Sequence, residues 1–308
     1  MPLPRQVLPG RTYMITRRCT QRQFLLRPDS ATNNSFIYCL AVAAQRTGVR
    51  VIFTAAESNH HHTGIHDPLG TYPDFIEHFH KLLAKCMNSL RGRWENFWSS
   101  EQTNVLRLVD PADVLDKMAY ALTNPVKDNL VATVTEWPGV NAYENIIGGR
   151  TITAIRPAHF FREAGPMPAT VTLTFDRPPG FEGMSHDEFA ALVRTRIGTA
   201  ETEAETKRRA TGARVQGRQA ILDQDLCGSP TSHEPRRGLN PLVAAKNKWS
   251  RIEALQRNKD FGNGYRRAFE AFRRGVKDVL FPGGTYWLRR FAAAICEPWP
   301  EDGVAAPA

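Results

Sequence analysis

Segments with strand character and segments with helical character alternate through the first 125 residues, and this order limits the folds open to the chain. β-prone residues between polar turns predict four strands, at residues 11–18, 49–56, 60–66 and 102–109. Apolar residues at helical spacing predict three helices, at residues 35–48, 72–89 and 110–124. This β-α-β-β-α-β-α order is close to the split pattern of ferredoxin-like folds. We therefore predict an α+β fold, with helices on one face of a ferredoxin-like antiparallel sheet.

The character of the chain changes past Trp137, where glycine and proline breakers separate short strand-like pieces such as residues 171–175. Beyond them, helical patterns carry clustered basic side chains, among them Lys207, Arg266, Arg267 and Arg273. We predict three parts: a first domain at residues 1–145, a linker with short β pieces at 146–180, and a basic, mostly helical C-terminal extension at 181–308.

The chain has 308 residues, a formal net charge of +9 and an isoelectric point near 9.5. Clustered cations release counterions when they bind a phosphate backbone, so this charge favours a nucleic acid partner, with a merely basic enzyme as the alternative. The five cysteines are scattered, which indicates neither a disulfide framework nor a zinc ribbon. Because neither a signal peptide nor an apolar run of membrane-spanning length is found, we expect a cytoplasmic protein with no membrane partner.

The stretch Ser58-Asn59-His60-His61-His62 contains three consecutive histidines and is the strongest candidate for a chemically active site in the chain. On a strand, the side-chain period of two places His60 and His62 on one face and turns His61 to the other. Two neighbouring imidazoles can form half of a metal site. The alternative is a surface cluster of histidines without a metal, and no His-Glu-x-x-His pattern supports a zinc hydrolase.

The predicted helix at residues 110–124 carries a tyrosine on its polar side. Asp110 is the expected N-cap, with Asp113 three residues later, and the apolar residues of the helix fall on the opposite half of its wheel. Tyr120 shares the polar half with Lys117 and lies one turn before Asn124. This placement makes Tyr120 a candidate nucleophile. The alternative is an exposed tyrosine on a surface helix that stops at Asn124, before Pro125.

The two stretches together resemble a known family. Ser58-Asn59-His60-x-His62, followed by Tyr120-x-x-x-Asn124-Pro125-Val126-Lys127, is similar to the motifs of the REP-associated tyrosine transposases, which belong to the single-tyrosine HUH group related to insertion-sequence 200 elements. The resemblance covers roughly residues 11–145 and implies that the first predicted domain is an HUH catalytic domain. It depends on the pair of motifs, because neither motif is specific alone.

By this resemblance, His60 and His62 are expected to bind a metal, Asn124 to add a third ligand, and Tyr120 to act as the nucleophile. The chain departs from the family pattern at two points. His61 occupies the middle position, which is bulky and apolar in the family, and we expect metal binding to survive because this side chain points away from the metal. The long extension after about residue 150 has no counterpart in compact family members.

The resemblance implies a transposase that cuts and rejoins single-stranded or hairpin DNA through a 5′-phosphotyrosine. Two imidazoles and one amide oxygen suit Mg²⁺ or Mn²⁺ as the cofactor. A homodimer is compatible with the resemblance. The candidate DNA-binding residues are basic or aromatic side chains, which can grip phosphates or stack on bases: Lys117, Lys127, Arg91, Arg93, Trp94, Arg266 and Arg267.

Three alternatives stay open at this point. An HUH replication initiator or relaxase-type nickase shares the ligands and the tyrosine, although such proteins usually carry helicase or partner domains. A non-catalytic DNA-binding regulator derived from a transposase would need neither Tyr120 nor the metal pair. For the aromatic residues around Trp94, the alternative to DNA contact is an anchor buried under a loop.

Overall fold

The computed structural model describes residues 4–232 and 241–300 of the chain. Its first half contains four strands, three long helices and one short helix that follows the third long helix. Single 3-10 turns lie at Thr20–Arg22 and Val134–Glu136. The elements in chain order are β1 (Arg11–Arg18), α1 (Ser30–Thr47), β2 (Arg50–Glu57), β3 (His60–Asp67), α2 (Tyr72–Leu90), β4 (Asn104–Leu108), α3 (Pro111–Leu122) and α4 (Asn124–Lys127). The predicted alternation of strands and helices is confirmed.

The second half of the described chain is mainly helical, with three short strands. Its elements are α5 (Tyr143–Gly148), β5 (Ile152–Ile155), β6 (Thr170–Leu173), α6 (His186–Thr211), α7 (Arg218–Leu222), β7 (Val243–Ala244), α8 (Lys248–Arg273) and α9 (Trp287–Phe291). Strands β5 and β6 form an antiparallel pair beside α1. No helix within the described ranges combines the length and the apolar character that crossing a bilayer requires.

The main sheet has five strands in the order β2-β3-β1-β4-β7. β1 lies at the centre and pairs antiparallel with β3 and β4, and β2 pairs antiparallel with β3. These four strands have the ferredoxin-like order that the sequence predicts. The short β7, which comes from far along the chain, adds a parallel edge strand beside β4.

Different helices cover the two faces of the sheet. Tyr13 and Ile15 on β1 share a core cluster with α1 and α2, which cover one face as predicted. Met14, between them, points the other way and shares a second cluster with Met118 of α3. Helix α3 therefore covers the opposite face, where it meets the side chains of His60 and His62.

Helix α1 starts five residues earlier than predicted, at Ser30, so that Asn34 lies inside the helix. Asp29 caps the helix, because its carboxylate accepts a hydrogen bond of 2.7 Å from the Thr32 amide. The Asn34 carboxamide instead bonds the backbone of Ile155 on β5, which accounts for the polar residue inside the helix. The predicted stop is confirmed, since Gly48 ends the helix with a φ of 71°, a left-handed conformation that favours glycine.

Helix α3 has the predicted start but not the predicted end. Asp110 and Asp113 form a reciprocal capping box, with Pro111 between them at the first helical position. The helix ends at Leu122 rather than at Asn124, and the chain then makes one further helical turn, α4. Pro125 fits the first turn of α4, where its missing amide hydrogen costs nothing. The Asn-Pro pair thus opens a new turn instead of closing the helix.

The C-terminal region packs against the first half of the chain. Phe189, Val193 and Ile197 of α6 are buried in the same cluster as Val114 and Met118 of α3. Residues 233–240 and 301–308 of the predicted extension, and residues 1–3 of the predicted first domain, lie outside the described residues. The division into domains stays a prediction. Helix α6 packs its apolar side chains beneath α3, the helix that carries Tyr120.

Gly64 lies on the same face of β3 as His60 and His62, and we expect its substitution by alanine to destabilise the fold. A β-carbon at Gly64 would lie 2.1 Å from the ring of Phe53, which is fully buried. The crowding should lower the free energy of unfolding by about 1–3 kcal/mol, as measured by urea denaturation.

Gly198 provides a matched control, because a β-carbon there meets no heavy atom within 4 Å. Gly198 lies inside helix α6, so Gly198→Ala should raise the free energy of unfolding by up to about 1 kcal/mol. The double variant Gly64→Ala/Phe53→Leu should recover part of the lost stability. Equal unfolding midpoints for Gly64→Ala and the unmodified chain would show that the Phe53 ring does not press on this strand.

Candidate active site

The paired histidines of β3 lie side by side on the face of the sheet that α3 covers. The ring centroids of His60 and His62 are 4.9 Å apart, and the ring planes are nearly perpendicular. Both side chains are largely shielded from solvent, with His62 only 6% exposed. The alternation of side chains along the strand thus places both imidazoles in the same cleft, as predicted.

One ring nitrogen of His62 is bonded and the other is open. Nδ1 lies 2.7 Å from the Thr16 hydroxyl on β1, and a hydrogen bond donated by Nδ1 leaves a lone pair on Nε2. Nε2 is buried and has no hydrogen-bond partner among the described residues. Burial, with smaller contributions from Lys117 and Arg18, lowers the pKa of His62 to about 4. A neutral imidazole with one oriented, open nitrogen has the form of a metal ligand.

His60 is held through both of its ring nitrogens. Its Nδ1 lies 2.7 Å from Oδ1 of Asn59, and its Nε2 lies 3.2 Å from Nδ2, the amide nitrogen of Asn124. Burial, followed by the neighbouring His62, lowers the pKa of His60 well below its ordinary value. The contact with Asn124 joins β3 to α4 and brings together the two stretches on which the sequence prediction depended.

Glu57 joins this cluster, and sequence reasoning missed it. It ends β2 directly opposite His60, with a carboxylate oxygen 3.8 Å from His60 Nδ1. Burial, followed by the charge of Asp128, raises the pKa of Glu57 to about 8, and a hydrogen bond with Asn124 opposes this shift. The available signal was a glutamate that closes a mostly apolar strand, three residues before the first histidine.

Tyr120 lies at the mouth of the same cleft. The centroid of its ring is 5.6 Å from that of His62, and 41% of the residue is exposed. The ammonium groups of Lys117 and Lys127 lie 5.4 Å and 5.3 Å from the centroid of this ring. Two cations beside the ring can hold an incoming phosphate.

His60, His62 and Asn124 form a donor set that suits a divalent ion. Among the described residues there is no group of three or more histidine, cysteine or acidic side chains with metal-holding geometry. The candidate set is of another kind, with the imidazoles of His60 and His62 and the amide of Asn124. Mg²⁺ and Mn²⁺ accept amide oxygen, and Mn²⁺ tolerates imidazole. The buried Nε2 of His62, which has no hydrogen-bond partner among the described residues, fits such an ion.

The other predicted DNA-binding residues are more dispersed. Arg91 is only 9% exposed and pairs with Asp29 at 2.7 Å, beside the start of α1, and its contact with DNA stays a prediction. Trp94 is 92% exposed, and Arg93 is partly exposed beside it. Phe97 and Trp98, in contrast, are buried as the anchor of this loop. Arg266 and Arg267 are exposed on α8, away from the cleft residues described above.

His61 lies on the other face of the sheet, as the strand period predicts. It is fully buried, with Nε2 3.0 Å from Nε2 of His80 and Nδ1 3.0 Å from the Thr63 hydroxyl. Burial, followed by the neighbouring His80, lowers the pKa of His61 well below its ordinary value. A hydrogen-bonded, uncharged pair of histidines thus fills a place in the core between the sheet and α2.

No family model and no curated protein matches the chain. Similar solved structures include a REP-associated tyrosine transposase bound to a REP hairpin, with a TM-score of 0.41, 15% identity, and coverage of 55% of this chain and 96% of that one. Another is a candidate transposase from Deinococcus radiodurans R1, with a TM-score of 0.26, 16% identity, and coverage of 34% and 85%. Similarity of this degree carries no information about activity, which has to come from the side chains of the cleft.

Proposed function

We propose that the chain is a DNA transposase of the single-tyrosine HUH kind, close to the insertion-sequence 200 type, which cuts and rejoins single-stranded or hairpin DNA through a 5′-phosphotyrosine. The observation that carries the proposal is the meeting of His60, His62 and Asn124, with Tyr120 at the mouth of the same cleft. Residues 60 and 124 are far apart in sequence, so the fold has to bring them together. A chance cluster of surface histidines would not explain why a tyrosine and two lysines lie beside it.

In the cleavage step, the Tyr120 oxygen attacks the scissile phosphorus. A bond forms between that oxygen and phosphorus while the bond from phosphorus to the 3′-oxygen breaks. The phenolic proton leaves to solvent or a nearby base, and the departing oxygen takes up a proton to become a 3′-hydroxyl. Rejoining reverses these steps, with the 3′-hydroxyl of another end attacking the phosphotyrosine and releasing Tyr120.

The residues around Tyr120 prepare this attack. Lys117 and Lys127 lower the cost of negative charge on the phenol and on the phosphate that approaches it. His60, His62 and Asn124 would hold the divalent ion, whose chemistry when bound is to neutralise the phosphoryl oxygens as a Lewis acid. Thr16 and Asn59 keep the two imidazoles oriented through their Nδ1 atoms.

An unpaired DNA strand suits this cleft better than a duplex, because the tyrosine needs an accessible backbone. Trp94 offers an exposed ring on which a base can stack, and Arg93 beside it offers a cation for the phosphate. The loop that carries them is tied to the end of β1, where the Ser99 amide donates to the carbonyl of Arg18. Arg18 pairs with His60 across the sheet, so this loop lies at the catalytic end.

The test is a covalent-adduct assay on hairpin DNA taken from inverted repeats that flank the gene. With Mg²⁺ or Mn²⁺, a 3′-labelled strand should appear as a protein-sized band on a denaturing gel, while a 5′-labelled strand should yield a shorter free fragment. An excess of chelator should abolish both products, and added metal should restore them. The opposite labelling pattern contradicts a 5′-phosphotyrosine, and full activity in chelator removes the metal from the mechanism.

A further inference from the structure

A cavity of about 780 Å³ lies between the C-terminal region and the face of the sheet that carries α1 and α2. Its volume falls within the range of small-molecule sites, roughly 300–1,000 Å³. Its wall is formed by helix α8, the start of α2, residues 285–287 at the start of α9, and the residues around Val105 on β4. This cavity is separate from the histidine cleft, which lies on the other face of the sheet.

Aromatic side chains give the cavity its chemical character. Tyr265 and Phe269 on α8 have nearly parallel rings, with centroids 5.7 Å apart and an interplanar angle of 13°. Tyr286 and Trp287 face the same space with perpendicular rings, and Trp287 is 42% exposed. Flat, partly accessible rings of this kind provide stacking surfaces for planar ligands.

Charge is arranged so that a base fits the cavity and phosphates fit its rim. Arg266 and Arg273 on α8 are exposed and border the cavity, two helical turns apart. Glu77 and Glu270 also line it, and carboxylates repel a phosphate while they accept hydrogen bonds from the amino groups of bases. The combination of aromatic faces, carboxylates and rim arginines therefore favours a nucleotide whose base enters and whose phosphates stay outside.

The cavity lies within reach of a DNA strand held at the catalytic cleft. Asn104 on β4 pairs with Thr16 on β1, and Thr16 pairs with His62 on β3. Two strand spacings separate His62 from Asn104, a distance of about 10 Å. Thr103, the residue before Asn104, lies in the cavity wall and accepts a 2.9 Å hydrogen bond from Arg17. A few nucleotides can span from one site to the other around the end of the sheet.

We infer that this cavity is a second DNA-contact site, in which an unpaired base of the bound strand stacks on the aromatic residues of α8 and on Trp287, while Arg266 and Arg273 contact its phosphates. The inference rests on the proposed function for its choice of DNA as the ligand. It gives the C-terminal extension a defined task, which is to hold the strand beyond the point of cleavage.

The first test measures how tightly the full chain binds a fluorescein-labelled, mixed-sequence single strand of about 20 nucleotides. The variant Tyr265→Leu/Trp287→Leu keeps apolar side chains but removes two stacking surfaces, so its Kd should rise about tenfold with an unchanged salt slope. The variant Arg266→Ala/Arg273→Ala should reduce the slope of log affinity against log salt by about 1.4. Trp249→Ala is the control, since Trp249 lies on α8 outside the cavity, is 74% exposed, and should leave the Kd unchanged.

Photocrosslinking provides a second measurement that needs no variant. A strand with 5-iodouracil in place of thymine should crosslink to the peptides that contain Tyr265, Phe269 or Trp287. Crosslinks confined to other peptides, or a Kd unchanged in the folded aromatic variant, would overturn the inference.

The binding results are independent of cleavage. In the Tyr120→Phe chain, the cavity substitutions should weaken binding of the same strand by the same factor as in the unmodified chain. If the chain forms no adduct while the cavity variants still weaken binding, the proposed chemistry fails and the second site stands. If adducts form but the folded cavity variants bind normally, only the second site fails.

Discussion

Replacing Tyr120 by phenylalanine is expected to abolish the covalent adduct with hairpin DNA. The substitution removes the only atom that the proposed chemistry uses as nucleophile, while the ring beside His62 remains. The loss should reach about 10⁴-fold or more, because no neighbouring group can form the same bond. Adduct formation is measured on a denaturing gel with 3′-labelled DNA, and DNA binding is measured separately by fluorescence anisotropy.

Tyr143 supplies the matched control for this prediction. It is a partly buried tyrosine on α5 that packs against the same apolar cluster as α3. Tyr143→Phe removes the same hydroxyl from a residue outside the cleft, so the adduct should form at the rate of the unmodified chain. An adduct of normal yield in Tyr120→Phe would falsify the assignment of the nucleophile, and normal DNA binding with no adduct would support it.

Replacing His62 by alanine should reduce cleavage by about 10²–10³-fold at saturating metal, because the phosphate loses much of the charge that offsets its own. The same substitution should weaken Mn²⁺ binding, which is measured by titration with the spectroscopic signal of free Mn²⁺. His60→Ala should behave in the same way. The double variant should lose little more than either single variant, since the two ligands act as a unit.

His66 is the control for the metal ligands. It lies four residues further along the same face of β3, about 13 Å from His62, and its Nδ1 is 3.3 Å from the Thr12 hydroxyl. His66→Ala should bind Mn²⁺ and cleave hairpin DNA normally. If His62→Ala and His66→Ala lose cleavage activity and folding stability to the same extent, the loss comes from destabilisation of β3 and not from a lost metal ligand.

Local patterns in the sequence determined most of the core fold. Strand propensity and turn residues predict β1, β2, β3 and β4 to within two residues, because these signals act between neighbours in the chain. The strand period was enough to separate His61 from His60 and His62, and the cap signals of Asp110 and Asp113 marked the start of α3. The candidate nucleophile and the three candidate ligands were also named from the sequence, with the help of the family resemblance.

Only the tertiary structure decided how these pieces meet. The contact between Asn124 and His60 joins residues far apart in the chain, and it depends on the extra turn α4, which local rules read as a helix stop. The ion pair between Arg91 and Asp29 joins two segments, so no local pattern predicts it. Glu57 carries no motif, and its raised pKa arises from burial that no local pattern encodes. The packing of α6 on α3 and the aromatic cavity beside α8 likewise come from long-range burial of apolar surface, which depends on the whole folded chain rather than on sequence neighbours.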